Sequence, residues 1–174
     1  MLAVDIYRPD EWSNFYLMAG GGAAALTGLV FVALSLNLHV IAKDLTHRYR
    51  AIGALTGLTA VFMRCALVLM GGQNHQAVGA ELLVISGIAG AIFVNGYIQA
   101  MGSGKNISHP SILRTIGGSI CYLTEMIGAG LLISGSISGL YIAAVAMVAN
   151  FYFMISGAWL LVVGVFRDET TTKA

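Results

Sequence analysis

Five long apolar runs, parted by short polar segments, limit how this chain of 174 residues can fold. A helix needs about 20 mostly apolar residues to cross a bilayer. Runs of that kind reach from about Phe15 to Ile41, Ala51 to Met70, Ala80 to Met101, Ser111 to Ser134 and Gly139 to Phe166. The chain is 57% hydrophobic and 10% charged, against roughly 25% charged in a soluble domain. Most of its charges gather at the ends and between the runs. The expected fold is all-α, a polytopic membrane protein whose residues 1–174 make one domain, a transmembrane bundle of five helices. The fourth and fifth runs are separated only by "GSISG", so a tight helical hairpin is expected there.

The segments between the runs set the expected direction. "AKDLTHRYR" carries Lys43, Arg48 and Arg50; "GSGKNISHPSILR" carries Lys105 and Arg114; the tail carries Arg167 and Lys173. "GGQNHQAVG" and "GSISG" have neither Lys nor Arg. Basic and uncharged segments alternate, and basic loops stay on the cytoplasmic side, so the N-terminus is expected outside and the C-terminus inside. Tyr7, Trp12, Phe15 and Tyr16 then fall near the outer interface, where aromatic rings are favoured. The first residues carry Asp5, Arg8, Asp10 and Glu11, which does not fit a secretory signal, and the first helix is expected to be retained.

Several function classes find no support. The net charge of +1 and the lack of a basic, aromatic-rich patch give no reason to expect nucleic acid as a partner. No P-loop, H-E-x-x-H, C-x-x-C or G-x-S-x-G occurs, so neither an enzyme nor a cofactor is expected. Cys65 and Cys121 both sit within apolar runs, as small core residues do. The four histidines, His39, His47, His75 and His109, are spread over different depths, which does not suit haem ligation.

In lipid, helices associate through close packing, and their interfaces favour small residues. At three- and four-residue spacing the first run offers Gly21, Ala25, Gly28, Val32, Ser35 and His39. The second offers Gly53, Gly57, Ala60 and Arg64; the fourth Ser111, Arg114, Gly118, Cys121, Glu125 and Gly128; the fifth Ala143, Ala146, Asn150, Phe153 and Gly157. The third is looser, with Gly87, Ala91 and Asn95. Arg64, Glu125 and Asn150 thus share the small-residue faces, the sides expected to meet protein, where ionisable groups within a membrane usually lie. At 1.5 Å per residue Arg64 lies roughly 9 Å from the outer end of its run, and Glu125 and Asn150 roughly 15 Å from theirs. A guanidinium on its long stem spans that difference. Arg64 is expected to pair with Glu125, with Asn150 as a hydrogen-bonding neighbour. Two readings stay open: a clamp that fixes helix order, or a polar site on an ion or proton path. A permanently charged Arg is a poor proton relay, but as a fixed charge it can select ions. Asn37, His39, Asn95 and Gln99 lie near the inner ends of the first and third runs, either lining an inner vestibule together or serving as interfacial polar caps.

The stretch "EWSNFYLMAGGGAAALTGLVFVALSLNLHVI" resembles the opening helix of a group of small bacterial multi-span inner-membrane proteins. Their hallmark is a Trp, a Phe, and then G-G-A-A-A-L-T-G-L-x-F-V-A-x-S-L-N-L, matched here by Trp12, Phe15 and residues 21–38. Some members carry automatic labels as modulators of a membrane-bound AAA protease. The resemblance implies a multi-pass protein of the bacterial inner (plasma) membrane and assigns no catalytic residue.

Five short spans with little mass outside the lipid, and no internal repeat, do not suit an alternating-access transporter. A homo-oligomeric ion channel or pore-like protein is the first expectation. A regulatory or structural subunit binding another membrane protein is the alternative. Membrane lipids are partners in either case.

Overall fold

The computed structural model describes residues 9–43, 45–102 and 109–172, so Asp5, Tyr7, Arg8, Lys105 and Lys173 lie outside the described residues. The described chain is all-α: α1 (Pro9–Leu36), α2 (Leu38–Lys43), α3 (Leu45–Val68), α4 (His75–Gly102), α5 (His109–Ile133) and α6 (Ser138–Thr172). Five of these helices are long and apolar enough to cross a membrane, over Asp10–Leu36, His47–Val68, His75–Gln99, Ile112–Ile133 and Ser138–Trp159.

The helix ends differ from the apolar runs because polar residues, not hydropathy, start and stop helices. Pro9 opens α1, where its missing N–H costs nothing, and Asp10 and Glu11 complement the dipole in the first turn. The first run was expected to continue to Ile41. Instead α1 stops at Leu36: the Asn37 side chain donates to the Ala33 carbonyl (2.9 Å), while its backbone N–H bonds Leu34 three residues back (3.2 Å). That tightened turn ends α1, and the short α2 follows. α4 begins at His75 rather than Ala80 because Asn74 Oδ1 caps it, accepting from the Ala77 N–H at 2.8 Å.

The "GSISG" segment forms the tight hairpin. Gly135 takes a φ of +85°, its N–H bonds the Leu132 carbonyl at 3.0 Å, and the Ser136 N–H bonds the Leu131 carbonyl at 3.0 Å. That is a Schellman termination, which needs a residue without a Cβ at the left-handed position. Beyond the turn the two backbones touch. A Cβ on Gly128 would stand 2.7 Å from both the Ala143 nitrogen and the Gly139 carbonyl oxygen.

α3 is the central helix, packed on α1, α4 and α6, while α5 packs on α4 and α6. Half of the α3 span (50%) is buried within the bundle, against 17% of the α1 span. α1 lies at the periphery. It meets the bundle through Tyr16, Ala23 and Val30, and through Gly20, whose Cβ position is 2.9 Å from the Cys65 Cβ. Trp12 packs edge-on against Tyr141 of α6 (centroids 4.6 Å apart) and extends this contact to the hairpin end.

This arrangement corrects two of the expected faces. On α1, Gly21, Ala25, Gly28, Val32 and Ser35 are exposed, as is His39 on α2, and among the described residues nothing lies within 4 Å of a Cβ placed on Gly21 or Gly28. On α4 the buried residues are Val78, Gly79, Leu82, Ser86 and Ala89, while Ala91 and Asn95 face outward. The small-residue faces of α3, α5 and α6 do turn inward, with Gly57, Ala60, Gly118, Gly128, Ala143 and Ala146 buried.

Candidate functional site

The buried charges sit where α3, α4, α5 and α6 meet. Arg64 projects from the last turns of α3, and its Nη1 forms an ion pair with Glu125 Oε2 on α5. Its Nε donates to the Ala60 carbonyl one turn back, at 3.1 Å. Two further helices complete the carboxylate's shell: Ser86 Oγ of α4 donates to Oε2 at 3.2 Å, and Asn150 Nδ2 of α6 donates to Oε1 at 3.4 Å. The Arg64 guanidinium carbon also lies 5.9 Å from the centre of the Tyr122 ring, within cation–π range.

The cluster is sealed. Arg64 and Glu125 are each 2% exposed and Asn150 is 0% exposed. Tyr16, Leu82, Ala143 and Met147 close around a cavity of about 10 Å³ beside Arg64, Ser86 and Glu125. That is about the least space that can hold one water molecule. Among the described residues Arg64 Nη2 is buried with no hydrogen-bond partner, so polar capacity is left at the cluster's edge. A guanidinium and a carboxylate in contact, hydrogen-bonded from two more helices, can fix the order and rotation of four helices.

The structure thus brings Arg64, Glu125 and Asn150 together. The other four polar residues from the sequence do not join in one hydrogen-bonded group among the described residues. Asn37 is tied to its own helix, and His39 is exposed on α2. Asn95 and Gln99 are exposed on α4, where Gln99 donates to Asn95 at 3.3 Å and accepts from Tyr49 of α3. Sequence reading missed Ser86 and Tyr122. Ser86 lies on the repeat Val78–Leu82–Ser86–Ala89, whose spacing signals the buried side of α4. It also passed over Glu81, which accepts from Gln73 Nε2 at 2.9 Å and ties α4 to the turn before it.

Among the described residues no three His, Cys, Asp or Glu side chains converge as a metal site would require. The chain matches no family model, and no curated protein or solved structure is similar to it. Fold and site define a class: a multi-pass α-helical membrane protein in which a buried, hydrogen-bonded ion pair joins helices among the described residues.

Proposed function

We propose that the protein is an oligomeric membrane subunit whose copies associate along the outward face of α1. The observation that carries this reading is the open glycine face: Gly21, Ala25 and Gly28 are exposed, with nothing within 4 Å of either glycine's Cβ position. A face of small residues at this spacing lets a second helix backbone approach closely. An identical face on another copy is complementary to it, as symmetric association requires. The shallow burial of α1 leaves most of its surface for this purpose.

A pore-like activity fits only between copies. Among the described residues the Arg64–Glu125 cluster is closed off, with room for a single water, so the cluster itself opens no path. Ser35 lies on the exposed α1 face and His39 is exposed on α2 just beyond it, so both would bring polar groups to a shared boundary. The second reading is a regulatory or structural subunit that docks the same face on another membrane protein. The sealed interior favours it, because such a role needs rigidity and no path.

Particle mass and conductance separate these readings. The wild-type chain in mild detergent is expected to run as an oligomer, and Gly28→Leu is expected to shift it to the monomer mass with little change in thermal stability, because among the described residues nothing lies within 4 Å of its Cβ position. An unchanged oligomer mass in that variant, or a monomeric wild type, overturns association between copies through α1. Current across bilayers holding the wild-type oligomer, absent with Gly28→Leu, supports the pore. A silent oligomer supports the structural role.

We place the N-terminus outside and the C-terminus inside, in the bacterial inner membrane. The distribution of Lys and Arg between the loops supports the orientation, and the resemblance of the first helix supports the compartment. Single cysteines introduced at Gln73 are expected to react with an impermeant maleimide from outside, and those at Lys105 and Lys173 only after permeabilisation. Labelling at Lys105 in intact cells overturns this topology.

A further inference from the structure

Arg64 has a carboxylate partner; among the described residues Arg114, also set between helices, has none. Arg114 projects from the second turn of α5 and lays its guanidinium against α6. Its Nη2, Cζ and Nε lie 3.0, 3.2 and 3.6 Å from where a Cβ on Gly157 would stand. Gly157 is buried, and its lack of a side chain lets the guanidinium lie this close to the α6 backbone. Arg50 of α3 lies within electrostatic reach of Arg114 and repels it. Among the described residues no carboxylate pairs with Arg114. Both arginines are only partly exposed, so water screens their mutual repulsion incompletely.

Their depth is informative. Each stands five residues after the start of its helix, Leu45 for α3 and His109 for α5, hence about 7 Å inside it. That level in a bilayer is where hydrocarbon gives way to headgroups. A planar guanidinium presents paired N–H donors that match two phosphate oxygens, and basic pockets between spanning helices suit anionic lipid headgroups.

We propose that Arg114, supported by Arg50, binds a phosphate group between α3, α5 and α6, either that of an anionic phospholipid or free inorganic phosphate. Arg114 is the first ligand, because Arg50 has interactions of its own. The anion offsets the repulsion between the two cations and ties the starts of α3 and α5 to α6.

The test uses the purified full-length chain and native mass spectrometry. Phosphatidylglycerol is compared with phosphatidylcholine of the same acyl chains, and inorganic phosphate is titrated separately with thermal unfolding as the readout. The wild type is expected to retain phosphatidylglycerol over phosphatidylcholine by about fivefold or more. Arg114→Gln is expected to lose that preference, Arg114→Lys to keep part of it, and Arg50→Gln to weaken it. A lipid preference without stabilisation by phosphate assigns the site to a headgroup; the reverse, abolished by Arg114→Gln, assigns it to free phosphate. If Arg114→Gln does not fold, Arg50→Gln decides, because it removes the second cation and leaves Arg114 on its Gly157 seat; it is expected to weaken binding. The proposal is overturned if the wild type shows neither preference nor stabilisation. It is equally overturned if a folded Arg114→Gln, or in its place Arg50→Gln, binds as the wild type does.

Discussion

Arg64→Leu and Glu125→Leu are each expected to destabilise the bundle by about 3–5 kcal/mol, the usual cost of stranding one member of a buried pair. The Arg64→Leu variant leaves a carboxylate at 2% exposure with only Ser86 and Asn150 as donors. The Glu125→Leu variant leaves a guanidinium whose remaining bond is to the Ala60 carbonyl, and strips Ser86 and Asn150 of their acceptor. The double variant is expected to be milder than either single change, because no uncompensated charge remains. Unfolding in mixed micelles by increasing SDS, measured for all four proteins, gives the coupling directly. If the single effects simply add, the two residues are not energetic partners. Activity then divides the two readings of the pair. A folded double variant that keeps its conductance or its partner binding makes the pair a clamp. A folded double variant that loses them makes Arg64 or Glu125 part of the working site.

Gly128→Leu is expected to be as damaging, for a different reason. Its Cβ would stand 2.7 Å from two backbone atoms of α6, and backbone cannot move aside as a flexible side chain does. The two helices must part along the hairpin. Overpacking costs about 1–3 kcal/mol where side chains can adjust, so the loss here should exceed about 3 kcal/mol. Gly139→Leu is expected to match it, since its Cβ would meet the Gly128 carbonyl and the Leu132 nitrogen. Gly130→Leu supplies the control on the same helix, because nothing lies within 4 Å of its Cβ position. Comparable SDS midpoints for Gly128→Leu and Gly130→Leu would contradict the close approach of α5 and α6.

The spans were legible because twenty apolar residues in a row have few other uses. Their ends were less so. Asn37 and Asn74 bond to nearby backbone, one ending α1 and the other starting α4, and hydropathy does not register such local bonds. The meeting of Arg64, Glu125 and Asn150 was legible because α3, α5 and α6 each carry their polar residue on the same side as their glycines and alanines. The same rule misled on α1 and α4. Small residues mark a face able to pack, without saying whether the partner lies in the same chain. α1 is peripheral and meets the bundle with Tyr16, Gly20, Ala23 and Val30 instead of its Gly21–Gly28 face. On α4 the glycine and alanine at 87 and 91 drew attention away from Ser86, one position earlier and turned inward at 1% exposure.

The separation of the two clamp residues along the chain sets an order of events during synthesis. Glu125 leaves the ribosome 61 residues after Arg64. At about 5–20 residues per second, α3 waits roughly 3–12 s for its counter-charge. Arg64 stands four residues before the end of α3 at Val68, about 6 Å from that end, so its stem can carry the guanidinium to the bilayer surface in the meantime. The ion pair is therefore a late lock. It can close only once α5 has been made, and Asn150 can reach the carboxylate only once α6 has followed.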